Sequence, residues 1–258
     1  MPLSKSEYNK LVQVFIKEWE RNLNTYNAYV LARQIKEYER IASVFDGLIQ
    51  ELLSKSEGLS PNQIYKLAEY KRFQEEANRQ MQLYAQFNTN LTRIAQRDFA
   101  NSGLQATQTL LNQINPNFSR LPIEAINKMI GFTADGSPLY NIFVSRFGDR
   151  VDTASNIMID GIARGLNPVE VSRLMRQQLD ISRYDATRIT RTEALNVYRD
   201  VSYDQMSKSG IVNEYIWVAE DDACEECLAL ESNSPYSLED RIESPHPHCR
   251  CSIAPNIG

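Results

Sequence analysis

Thiol and imidazole are the chemically distinctive side chains of this protein, and they are confined to one stretch. The 258 residues contain 4 Cys and 2 His, and all six fall between Cys224 and Cys251. The order is Cys224-Glu225-Glu226-Cys227, eighteen residues, then His246-Pro247-His248-Cys249-Arg250-Cys251. A C-x-x-C bend brings two thiolates about 3.5–4 Å apart, two corners of a tetrahedron around Zn²⁺. His246-x-x-Cys249 repeats the spacing and can supply the other two corners, and Cys251 can stand in for Cys249. Cys224, Cys227 and His246 rank first as ligands, Cys249 or Cys251 next, and His248 last.

Other chemistries fit this pattern less well. Two disulfides need an oxidising compartment, and the opening Met-Pro-Leu-Ser-Lys-Ser-Glu has no basic-then-apolar leader, so export is not expected. A redox C-x-x-C belongs at the start of a helix in a βαβ unit, whereas here a strand-like run precedes it, and Glu225 and Glu226 would raise a thiol pKa. Catalytic zinc keeps one position open beside a general base, for which Glu225 and Glu226 are the nearest candidates. With soft ligands in excess, a closed structural Zn²⁺ site is the expectation. The last 45 or so residues hold few large apolar side chains, and metal binding would supply folding free energy on the order of 10 kcal/mol.

Helices must position this loop. Ser4-Lys5-Ser6-Glu7 fits a capping box for a helix from about Lys5 to Arg21, with a break over Asn22 to Thr25. Leu31, Ile35, Tyr38, Ala42, Phe45, Ile49 and Leu52 step by three and four, the seam of a helix packed on another, and Gly58 closes it. Ser60-Pro61 opens a third helix that reaches Ile114 unless Gly103 breaks it. Breakers between Asn115 and Gly148, around a short helix from Pro122 to Ile130, mark a domain junction. Helices follow over Ser145 to Arg164, Asn167 to Leu179 and Arg183 to Lys208, with stops at Gly165 and Gly210. Glu214 to Ala219 and Cys251 to Pro255 read as two strands of an antiparallel pair. The expected fold is mainly α with a small α+β C-terminal domain. An extended helical arm over 1–145 leads into a compact domain over 146–258 with a β-hairpin and a zinc-stapled loop.

Charge and hydropathy exclude some function classes. Mean hydropathy is -0.44, and no apolar run is long enough for a membrane span. The net charge of -5 excludes a whole-surface cation field for nucleic acid. From Glu214 onward there are ten acidic residues against Arg241 and Arg250, the wrong sign for the finger itself to hold phosphates. The preceding helices differ: Arg164, Arg173, Arg176, Arg183, Arg188, Arg191 and Arg199 outnumber Glu170, Asp180, Asp185 and Glu193. That face reads either as a contact for phosphates or an acidic partner, with Arg183, Arg188, Arg191 and Glu193 as candidates, or as a solvated surface of intrahelical ion pairs.

One ordered set of residues carries a family resemblance. Gly165-Leu166-Asn167-Pro168-Val169-Glu170 is followed by Ile189-Thr190-Arg191-Thr192-Glu193-Ala194, Gly210-Ile211, Trp217, Asp221-Asp222, Cys224-x-x-Cys227 and His246-Pro247-x-Cys249-Arg250-Cys251. Over roughly residues 146–255 this resembles the phage head morphogenesis proteins, also called phage Mu protein F-like minor head proteins. The resemblance implies a non-enzymatic minor capsid protein of a tailed phage. It would be associated with the phage portal protein inside the procapsid, in several copies on the portal ring, with other head proteins and phage DNA as further partners and no membrane. The implied location is the capsid interior near the portal, and the host cytoplasm during assembly. Readings from other classes are a zinc-dependent hydrolase or nuclease and a DNA-binding protein acting through the Arg-rich helices. The Arg-Thr-Glu step suggests that Arg191 or Glu193 docks its helix onto the zinc loop.

Overall fold

The structure is a computed structural model that describes residues 5–113 and 120–256. It is mostly helical, at 74%, with a long N-terminal helix and a small three-stranded sheet near the Cys/His cluster. The elements run α1 (Lys5–Ser56), α2 (Pro61–Ile64), α3 (Ala68–Asn112), α4 (Ile123–Met129), α5 (Leu139–Ala163), α6 (Pro168–Ser209), β1 (Glu214–Val218), α7 (Glu225–Ser232), β2 (Tyr236–Ser237) and β3 (Ser252–Asn256). Among the described residues, no helix is long and apolar enough to cross a membrane. Ser4 of the expected capping box and the Asn115-Pro116-Asn117 breaker lie outside the described residues.

Helix stops fall where the glycines predict, and the breaks expected inside helices do not form. Gly165 and Gly210 adopt φ +70° and +65°, the left-handed conformation that ends α5 and α6 at no Cβ cost. α1 runs through residues 22–25 because Thr25 satisfies its hydroxyl within the helix, donating to Arg21 O at 3.0 Å, while Trp19 and Leu23 keep the apolar face buried. α6 likewise continues where a gap was expected after Leu179, since Leu179, Ser182 and Ala186 form a buried stripe at helical spacing. The helix opened by Ser60-Pro61 makes one turn, held by Ser60 N–H donating to the Gln63 side chain at 2.9 Å, and restarts as α3. Gly103 does not break α3. A Cβ there would sit 2.8 Å from Tyr198 O, so the glycine lets α3 pass close to α6.

Residues group into two compact units that interleave along the chain. One comprises 29–91 and 137–187, the other 1–28, 92–136 and 188–258, so α1, α3 and α6 each supply residues to both. In the first, Ile41, Phe45, Ile49, Phe73, Phe143 and Phe147 are fully buried, and Tyr84 stacks on Phe147 at 5.1 Å. A polar layer crosses this core, with Gln34 Nε2 donating to Asn88 Oδ1 at 2.8 Å and Thr187 Oγ1 to Gln34 Oε1 at 3.1 Å. Each buried amide thus keeps a partner, as a low-dielectric interior requires.

The second unit holds the sheet, in the order β2-β1-β3 with both pairings antiparallel. Tyr215 opposes Pro255 and Trp217 opposes Ile253, so the expected strand pair forms, and the two-residue β2 joins its other edge. The tail's shortage of apolar side chains is made good by the helices. Leu111 of α3 and Tyr203 and Met206 of α6 pack with Val212, Tyr215, Trp217, Ile253 and three of the cysteines in one buried cluster. A neighbouring aromatic cluster stacks Trp19 on Tyr198 at 4.0 Å, with Phe99 edge-on to Trp19 at 5.2 Å. Tyr8 OH donates to Pro255 O at 3.0 Å, tying α1 to β3.

Candidate metal centre

The C-x-x-C segment leaves β1 through a short turn and opens α7. Cys224 is the N-cap of that helix, with extended backbone, and Cys227 lies one turn in, buried against the core. His246 and Cys249 sit on the loop after β2, and Cys251 immediately precedes β3. Two elements therefore carry the donors, one from each side of the eighteen-residue insertion.

The side chains converge. Cys224 Sγ lies 3.2 Å and Cys227 Sγ 3.3 Å from His246 Nε2, and Cys227 Sγ lies 3.6 Å from Cys249 Sγ. Two overlapping triads result, Cys224/Cys227/His246 and Cys227/Cys249/Cys251, each with donor atoms within 4.8 Å of one another. No disulfide joins the four cysteines. His246 Nδ1 lies 2.8 Å from Pro247 O, and a proton on Nδ1 leaves the Nε2 lone pair facing the sulfurs.

The electrostatics divide the four thiols, favouring thiolate at Cys224 and Cys249 and opposing it at Cys227 and Cys251. Backbone N–H groups of Cys227 and Glu226 donate to Cys224 Sγ and hold its thiol below the ordinary value. Cys251 S–H donates to Cys249, which draws the Cys249 thiol down to about 5 and pushes Cys251 up. Burial pushes Cys227 up to about 12, the direction expected of a sulfur that ionises only with a cation beside it. A soft set of sulfurs, all but Cys224 buried, and one imidazole nitrogen fits a metal such as zinc. The C-x-x-C does open a helix, contrary to the sequence expectation. What sets it apart from a redox pair is the crowding of Cys227 by Cys249 and His246, and the upward shift of its thiol.

The helix that supports the loop does so through residues that the sequence reading passed over. Arg199, buried in α6, donates to Cys251 O at 2.9 Å and to Cys249 O at 3.4 Å, and to Asn196 Oδ1 at 2.8 Å. Thr192 Oγ1 accepts the His248 N–H at 3.1 Å. Thr192 and Arg199 stand seven apart, one face of a helix, and that spacing within and beyond the Arg-Thr-Glu step was the available signal. The docking expected of Arg191 or Glu193 goes elsewhere. Arg191 donates to Asn27 Oδ1 at 3.3 Å, and Glu193 accepts the Ala134 N–H at 3.1 Å.

The remaining candidates are dispersed. His248 belongs to neither triad, has a left-handed backbone at φ 65°, and its pKa is lowered by burial and by Arg191 and Arg188. Arg183 lies in the other unit and stacks over Tyr184 at 4.9 Å. Arg164, Arg173 and Arg176 pair with Asp160, Glu170 and Asp180 along their own helices. Glu225 and Glu226 are exposed in the first turn of α7. Arg250 pairs with Asp222 across the finger.

Comparison with known proteins bears on residues 152–254, which match the family model described as Phage Mu protein F like protein. No curated protein and no solved structure matches the chain. The matched span takes in all of α6, β1 and β2, the first three residues of β3 and every donor of the cluster. Residues 152–254 are thus similar to the Phage Mu protein F-like family.

Proposed function

We propose that the chain is a non-enzymatic minor structural protein of a tailed-phage head, associated with the portal protein inside the procapsid. The observation that carries this reading is the family match, whose span contains the whole sulfur–imidazole cluster. Cys224, Cys227, His246 and Cys249 would hold one Zn²⁺, with Cys251 behind Cys249 as the thiol that donates to it. The metal would supply rigidity, cross-linking the start of α7 to the loop before β3. Cys227 and Cys249, two of the four proposed ligands, are buried within the core cluster with Cys251 beside them, which suits a structural site.

In this reading residues 146–258 are the head-morphogenesis module. The helical residues of 1–145 give surface for helix–helix contact with the portal, in several copies on its ring. The protein would sit in the capsid interior near the portal, where it assists head assembly and DNA packaging or exit. Co-purification from procapsids tests the proposal. The expected result is capture of this chain with the tagged portal protein, at a few copies per head and about one zinc per chain. Procapsids whose portal complex lacks the chain would overturn it.

A further inference from the structure

We infer that a groove along α6 is a docking site for a lysine-bearing segment of another protein, whose ammonium group seats on Glu193. The groove goes beyond the head assignment; its far end reaches His246 of the candidate metal centre, and it lies wholly within the unit that holds the sheet.

Two cavities share its floor. The first, of about 340 Å³, lies between Met129, Phe132 to Ala134 and the Glu193, Val197 and Asp200 positions of α6. The second, of about 690 Å³, continues past Asp200 to Asp204, Arg241 and the 243–247 loop. Met129, Ala134, Asn196 and Asp200 line both, so the two form one elongated depression. Its upper wall is built rather than loose: Gln96 Nε2 donates to Phe132 O at 2.8 Å, and Gln96 Oε1 accepts the Gly131 N–H at 2.8 Å. A wall held before binding spares the partner the cost of ordering it.

Charge selects the occupant. Glu193, Asp200, Asp204 and Glu243 line the depression, and Arg241 within it offsets Asp200 and Asp204, which leaves Glu193 as the acid set against the apolar wall. Arg241 pairs with Asp200 and reaches Asp204, and Arg199 is bonded to the finger carbonyls. Among the described residues no Lys or Arg lies within ion-pair distance of Glu193, whose partners are the Ala134 N–H and the Asn196 side chain. Burial pushes its carboxyl up to about 7, a penalty on the anion that a seated ammonium would relieve. With Ala134 and Asn196 already donating to it, the carboxylate suits a compact ammonium better than the two-pronged guanidinium of arginine. Met129, Val197 and Phe132, itself 42% exposed, offer an apolar wall for the aliphatic stem of a lysine.

The test is selection of a displayed random-peptide library on the full-length zinc-loaded protein. The proposal expects enriched peptides with a shared lysine. Affinity should fall about tenfold or more when that lysine becomes glutamine, or when the protein carries Glu193→Gln. Phe132→Ser, which leaves the Gln96 bond to the Phe132 carbonyl in place, should weaken the same peptides. Lys128, exposed at the rim of the first cavity, is the internal competitor, and Lys128→Ala should leave binding unchanged or tighter. The proposal is overturned if no peptide is enriched, if the enriched peptides lack lysine, if Glu193→Gln and Phe132→Ser both bind as well as the parent, or if binding arises only in Lys128→Ala.

Discussion

Replacing Arg199 by methionine removes a buried cation while keeping most of its apolar volume. The side chain is 3% exposed and makes a good hydrogen bond to Cys251 O and another to Asn196 Oδ1, with a longer one to Cys249 O. Hydrogen bonds from a charged donor contribute about 1.5–3 kcal/mol each, and the carbonyls left behind are desolvated. Relief from burying an unpaired charge offsets part of that loss. The net expectation for Arg199→Met is a loss of about 3 kcal/mol, roughly two powers of ten in the folding equilibrium.

The same substitution should act on the metal. Zn²⁺ with the three proposed thiolates carries one net negative charge, and Arg199 is a neighbouring cation that helps to lower the Cys249 thiol. Zinc affinity should therefore drop about tenfold or more, as for other residues that orient or neutralise a metal's ligands. Urea titration at fixed free zinc, followed through Trp19 and Trp217, reads the first effect, and competition with a chromogenic chelator reads the second. Arg199→Lys keeps the charge but loses the fork, and should fall between the parent and methionine on both. A midpoint within about 0.5 kcal/mol of the parent, the scatter of ordinary surface substitutions, would refute the docking role. Lost stability with intact zinc affinity would refute the electrostatic coupling.

Gly103→Leu should destabilise by about 1–3 kcal/mol or more, because even its Cβ meets the Tyr198 backbone at 2.8 Å; thermal melts of Gly103→Ala and Gly103→Leu should show graded losses, and a gain in either would contradict the close approach. Burial raises Glu193 to about 7, so the folded chain retains a proton that the unfolded chain releases above about pH 4.5, and stability falls as pH rises through that window. Glu193→Gln should flatten the dependence and exceed the parent by about 1–2 kcal/mol at pH 8; identical profiles from pH 4 to 8 would show that the carboxyl is not held neutral.

The site was more legible than its support. Spacing alone singled out the sulfurs and His246, because few side chains bind metals and those few were clustered. Helix ends at Gly165 and Gly210 were legible for a similar reason, since glycine there does one backbone job. The expected breaks at 22–25 and after 179 failed because cap-type residues read the same in a turn and mid-helix until burial is known. Leu23 and Ser182 are buried, and that tertiary packing outweighs local preference. α7 was hidden by its own cysteines, whose spacing describes a metal knuckle and a first helical turn equally well. Arg199 was one arginine among seven, and only the fold shows that it faces inward.

The Tyr8–Pro255 bond joins residues 247 positions apart. A ribosome releases Tyr8 long before Pro255, so the sheet-bearing unit cannot close until both have emerged. The other unit has all its residues once 187 has emerged. In the interval Trp19, Phe99 and Leu111 face solvent without their final neighbours, a sticky surface of the kind that recruits chaperones. If the Cys/His cluster holds zinc as proposed, its capture waits for residues 224–251, and a cell short of the metal would accumulate molecules in which the other unit is finished and this one is not.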